Sequence, residues 1–268
     1  MERVRLAGVN TRMAKQNITF LDRALYIPGR TAQDESNYND NNGFVITWNP
    51  TFGAPTVWDA SVLKVLLCKA QAQKSNEIHI PNLTQFLRDL NLTGSTLKGL
   101  SAYRKKVYSA LRRYQATTFE FDKKTNKGLR TYLFSPFDSV LFPREAQDFK
   151  APEFIVKFNE YFLEECQASF SVLQNIDKSL QLVHSPIASR LYDILITKAY
   201  GMRVQGHFPI GLDKLFEKLG LKDVKYASDK LRRLEKGMKE VQKVLGVKYE
   251  VTATNPINIL FYSTEAKR

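Results

Sequence analysis

The chain has 268 residues, 43% hydrophobic and 25% charged, a balance that excludes a fibrous or largely disordered polypeptide. Lysine and arginine number 40 against 27 acids, a net charge of +13, and such a field favours a polyanion, either nucleic acid or an anionic membrane surface. The strongest apolar run, 62–67, is interrupted by Lys64 and is far too short to span a bilayer, so nucleic acid is the stronger expectation.

The opening stretch, MERVRLAGVNTRM, is basic and lacks the apolar core of a secretory signal. Residues 18–29, ITFLDRALYIPG, read either as a strand or as an arm that packs on a partner. Residues 33–43 are almost all polar or turn-forming and read as a linker. Residues 1–43 are therefore expected to be an N-terminal arm and flexible linker.

A first domain is expected over 44–150. It opens with a strand, FVITW, after which Thr56 and Asp59 stand three apart ahead of an apolar run, a variant of the capping box. The predicted helix carries Val62, Leu63, Leu66, Leu67 and Ala70. A short strand, EIHI, leads to a helix with Leu83, Phe86, Leu87 and Leu90, then to a Gly- and Thr-rich turn containing Lys98. The next helix places Tyr103, Val107, Ala110, Leu111 and Tyr114 on one face. Ser101, Lys105, Tyr108 and Arg112 fall opposite, flanked by Arg104, Lys106 and Arg113. No acid occurs between Asp89 and Glu120, whereas an ordinary solvated face mixes signs. A β-hairpin follows, with Lys123, Lys124 and Lys127 expected in its loop. The aromatics Phe44, Trp48, Phe52 and Trp58 are expected in the core.

Residues 142–152, FPREAQDFKAP, read as the joint to a second domain over 151–268. That half opens with a strand and helix, EFIVKFNEYFLEE. Ser185 and Pro186 then mark a helix start, followed by Ile187, Leu191, Ile194 and Leu195. A short strand near Phe208 precedes PIGLDKLFEKLGL, which aligns with IPNLTQFLRDLNL at an offset of 129 residues, matching Leu83 with Leu212 and Leu92 with Leu221. Both segments lead to a basic helix containing Leu-Arg-Arg, with nine more residues in between in the first copy, and both helices are followed by a hairpin. The second basic helix is expected to bury Ala227, Leu231, Leu234, Met238, Val241 and Leu245. Lys225 precedes it, and Arg232, Arg233, Lys236, Lys239 and Lys243 face outward among the acids Asp229 and Glu240. Duplication of a helix-turn-helix with a β-hairpin wing, in an α+β chain, is the economical reading.

No catalytic, cofactor or metal constellation emerges, so an enzyme is not expected. The spacing from Gly94 to Gly99 resembles the start of a phosphate-binding loop, but Leu100 stands where that loop needs lysine. Glu164 and Glu165 are adjacent and cannot converge on one point, and His79, His184 and His207 are scattered. Cys68 and Cys166 sit in apolar helical patterns and read as reduced core residues, which implies a cytoplasmic setting.

Three segments, TVWDASVLKVLL (56–67), LSAYRKKVYSALRRYQATTFEF (100–121) and SPIASRLYDILITKAYG (185–201), resemble plasmid replication initiator proteins of the tandem winged-helix type, most closely the replication initiator protein A family. The resemblance covers about residues 44–262. It implies sequence-specific binding to repeated double-stranded sites at a plasmid origin, duplex opening and recruitment of a host initiator and replicative helicase. It also implies a homodimer that represses its own gene. A two-winged-helix transcriptional repressor without a replication role is the alternative, and a basic structural protein would carry similar charge. The first basic helix, being free of acids, is expected to bind more strongly than the second. Arg104 at its leading end is expected to read bases, and Arg113 and the hairpin lysines to meet phosphates.

Overall fold

The computed structural model describes residues 3–6, 9–17, 20–21, 26, 37–39, 44–92, 100–125, 128–142, 153–167, 171–221, 224–252 and 255–263. It has a mixed α+β architecture of helices and open antiparallel sheets. Helix α1 (Val57–Gln73) begins at the expected capping box: the Thr56 amide donates to Asp59 Oδ2 at 2.7 Å and the Asp59 amide to Thr56 Oγ1 at 3.4 Å. It buries residues on every side, among them Val62, Leu66 and Cys68, as a helix in the middle of a core must. Strand β5 (Glu77–Ile80) and helix α2 (Leu83–Asp89) follow. Beyond 93–99, which lie outside the described residues, runs helix α3 (Leu100–Gln115).

The second half repeats this order at the same 129-residue offset. Helix α6 (Pro186–Gln205) has Ser185 at its N-cap, matching Thr56, although here the side chain makes no capping bond. Strand β11 (His207–Gly211), helix α7 (Leu212–Lys218) and helix α8 (Ala227–Leu245) then follow. The repetition extends to single hydrogen bonds. Helix α2 ends with Leu92 N–H donating to Leu87 O at 3.0 Å across Asn91 in the left-handed region (φ 60). Helix α7 ends with Leu221 N–H donating to Phe216 O at 2.9 Å across Gly220 (φ 69). Asn and Gly are the residues that most readily terminate a helix in this conformation.

The sheets refine the sequence reading. In the second half, β11 pairs with β13 (Asn258–Ser263), which pairs with β12 (Val247–Val251). In the first half, β5 pairs with β9 (Phe154–Phe158), which pairs with β8 (Phe137–Leu141). The counterpart of the β12–β13 pair is therefore β8–β9. The hairpin expected as the wing, β6 (Thr117–Thr125) with β7 (Gly128–Phe134), is formed as an additional pair, in the sheet β3 (Asn37–Asn39), β4 (Phe44–Trp48), β6, β7. Its strands extend further toward the turn than expected, so Lys123 and Lys124, expected in the loop, stand in β6 opposite Arg130 and Leu129. Residues 142–152, expected to join two domains, lie between strands that pair with one another.

The first apolar cluster runs from Ala14 to Leu180 and the second from Leu182 to Phe261. Phe154, Phe158, Phe162 and Cys166, grouped by the sequence reading with the second half, are buried in the first cluster. The N-terminal stretch is also built in. Strand β2 (Val9–Asn17) pairs with β1 (Arg3–Leu6) and with β10 (Ser171–Asn175), which follows helix α4 (Glu160–Gln167) and leads into helix α5 (Ile176–Leu180). Phe20, Leu21 and Tyr26 are buried in the chain's own core, and Phe20 stacks on Phe162 at 5.5 Å. Within the stretch read as linker, Asn37–Asn39 is an edge strand on β4. Of the four aromatics expected in the core, Phe44 and Trp48 are buried and Trp58 half-buried, while Phe52 is exposed.

Candidate nucleic-acid interface

Helix α3 buries Val107, Ala110, Leu111 and Tyr114, the face that periodicity assigns inward. Ser101, Lys105, Lys106 and Arg112 are exposed on the opposite side. Lys106 Nζ lies 5.2 Å from the centre of the Tyr103 ring, and the Arg112 guanidinium 5.6 Å from that of Phe142.

The other basic residues of α3 meet acids brought from far along the chain. Arg113 donates from Nε to Asp59 Oδ2 at 2.7 Å and from Nη2 to Oδ1 at 2.8 Å. The Asp59 side chain is fully buried, and a buried carboxylate requires such a partner. Arg113, expected on a phosphate, is thus an internal ion-pair partner of the α1 cap. Arg104 donates from Nε to Glu153 Oε1 at 2.6 Å, and the Tyr108 hydroxyl donates to the same oxygen at 2.8 Å. The Tyr108 ring also packs on Phe142, centroids 4.4 Å apart. Phe142 follows β8 and Glu153 precedes β9, so the end of this pair from which the connection leaves covers the Arg104–Tyr108 side of the helix. Burial first, then the hydrogen bond to Glu153, pushes the Tyr108 phenol up to about 12. Burial acts to raise the Glu153 carboxyl, but the hydrogen bonds from Arg104 and Tyr108 outweigh it and hold it below the usual carboxylate range.

Helix α8 presents a different surface. Leu234, Gly237, Met238 and Val241 are buried, with Leu231 and Leu245 half-buried; Ala227, expected inward, is exposed at the first turn. Gly237 permits close approach to α6, since a Cβ there would stand 2.7 Å from Ile187 Cγ2. Outward, Arg232 pairs with Asp229 at 2.9 Å and Lys239 with Glu235 at 2.9 Å, all on exposed side chains. Lys225, Arg233, Lys236 and Lys243 are exposed, and no hydrogen bond or ion pair among the described residues engages them. The position matching Asp59 is Ala188, so α6 offers no carboxylate there. The sequence reading did not single out Lys230, which is buried, pairs with Asp213 at 2.5 Å and lies 5.9 Å from the Phe216 ring centre, tying α8 to α7.

Lys98 and Lys127 lie outside the described residues, as do the side chains of Lys123 and Lys124. Among the described residues no cluster of His, Cys, Asp or Glu is placed to hold a metal ion, and no helix is long and apolar enough to cross a membrane. Cys68 and Cys166 are both buried and in no disulfide, and burial raises the Cys68 thiol above its ordinary range. No protein-family model matches the chain, and no curated protein resembles it closely enough to count as a match.

Proposed function

We propose that this chain binds double-stranded DNA through two tandem winged-helix units, with α3 and α8 as the paired reading helices. The observation that carries this reading is the duplication itself. A helix, a strand and two helices recur about 129 residues apart, each set followed by an antiparallel strand pair, and the last helix of each copy has an apolar face inward and lysine and arginine outward. Two copies of one module at a net charge of +13 suit a long polyanion with repeating geometry better than a compact acidic partner. The resemblance of 56–67, 100–121 and 185–201 to plasmid replication initiators narrows the proposal to origin binding, with duplex opening, host initiator, helicase and a homodimeric repressing form as its implied context.

Unpartnered arginine is the better bidentate reader of guanine. By that criterion Arg233 is assigned to base edges, and Lys105, Lys225, Lys236 and Lys243 to phosphates. If both helices dock, roughly 6–10 ionic contacts form and log K falls with log salt at a slope near −5 to −9. Fluorescence anisotropy on origin-derived and random duplexes measures it, and a slope shallower than about −3 would sink the two-helix reading. Footprinting separates initiator from repressor: several bound direct repeats support the first, a lone palindrome the second.

A further inference from the structure

Lys64 on α1 and Asp193 on α6 stand 129 residues apart, the offset that superposes the two copies. Their ion pair, Nζ to Oδ1 at 2.8 Å, therefore joins the same position of each copy, with side chains 6% and 2% exposed. Contact between equivalent positions is what a two-fold axis produces between identical subunits; here it lies within one chain. Tyr26 repeats the pattern. It packs with Ala60 and lies beside Ser189, a second pair at the same offset.

The junction is closed by directional bonds from several segments. Asp193 also accepts from the Tyr26 hydroxyl at 3.0 Å and from Gln174 Nε2 at 2.8 Å. Lys64 donates to Ser179 Oγ at 2.9 Å, and Gln16 is hydrogen-bonded to Gln174. Stability alone does not call for this, because apolar side chains of similar volume commonly hold such a contact as well or better. An apolar contact, however, lets two surfaces slide at little cost, whereas charge-assisted bonds at these distances are lost on small displacements.

We propose that the Lys64–Asp193 junction fixes the angle and separation of the two copies and, resting on the reading of α3 and α8 as DNA-contacting helices, sets the spacing of the two half-sites the chain accepts. The junction is a positioning device and touches no DNA.

The test uses the full chain with Lys64→Met/Asp193→Asn, which removes both charges and leaves an acceptor for Tyr26. Without DNA, small-angle X-ray scattering of the variant should show a larger radius of gyration than the wild type. With duplexes whose half-sites are moved apart one base pair at a time, the wild type should lose about tenfold in affinity per step and the variant about threefold or less, because simultaneous engagement no longer depends on one geometry. Unchanged scattering, or equal losses for the two proteins, overturns the inference. If the double variant does not fold, Lys64→Gln/Asp193→Asn, which removes both charges but keeps hydrogen-bonding groups, is judged in both arms by the same criteria. A wild type that binds no duplex defeats the DNA reading instead, and the scattering arm still decides whether the junction holds the copies in place.

Discussion

The two basic helices look alike in sequence and behave differently in space. Helix α3 has no acid of its own, yet Asp59 and Glu153 hold two of its arginines. Helix α8 carries its own acids, yet Arg233, Lys236 and Lys243 stay exposed without an ion-pair partner among the described residues. The lesson is that counting charges along a helix ranks surfaces poorly. A cation contributes to a binding face only if no carboxylate from elsewhere in the fold has already claimed it. In the first copy the claimants are the α1 cap and Glu153 at the connection end of β8–β9; in the second, Ala188 stands where Asp59 would be.

Truncating the last arginine of each Leu-Arg-Arg should separate the two helices most clearly. Arg113→Ala leaves a fully buried carboxylate unpaired and should cost about 3–5 kcal/mol of stability, whereas Arg233→Ala, on an exposed site, should stay within about 0.5 kcal/mol. Urea unfolding of the two variants measures the gap, and equal midpoints would mean that Asp59 does not depend on Arg113.

Sequence readout should run the other way. Selection of bound sites from random duplexes should show Arg233→Ala relaxing preference at one or two base pairs, about 1–3 kcal/mol of discrimination. Arg104→Ala should keep the wild-type preference, since its guanidinium is turned toward Glu153. A lost preference in Arg104→Ala with an intact one in Arg233→Ala would reverse the assignment of the copies.

A smaller effect concerns pH. The Glu153 carboxyl is held below its unfolded value, so its contribution is present above the usual carboxylate range and fades as pH falls through the lower folded value. Because Arg104 is 44% exposed, solvent screening limits the contribution to about 1 kcal/mol or less. The stability gap between wild type and Glu153→Gln should therefore be open at pH 7 and narrow on acidification. A gap independent of pH would remove the ion pair as its cause.

The smallest expected change is in salt dependence. Lys105→Ala and Lys236→Ala should each make the slope shallower by about 0.9, one phosphate contact apiece, without altering site preference. Titrations in which only one of the two changes would show that the helices do not dock together.

Features encoded within one element, or by repetition, need nothing beyond the order of residues. The Thr56–Asp59 cap, the inward faces of α3 and α8, the alternation of β5 and the matched ends of α2 and α7 all follow from bonds and burial periods spanning a few residues. The duplication was legible too, because Leu83 and Leu212 begin the same pattern 129 residues apart. Tertiary structure alone decided the rest. Arg113 and Asp59 are separated by 54 residues, Arg104 and Glu153 by 49, and Lys64 and Asp193 by 129. Pairing of β5 with β9 places Phe154 opposite Ile80 and turns an expected domain joint into a connection between paired strands. Contacts at such separations leave no period in the sequence; they are set by which buried carboxylate or open sheet edge the folded chain must satisfy.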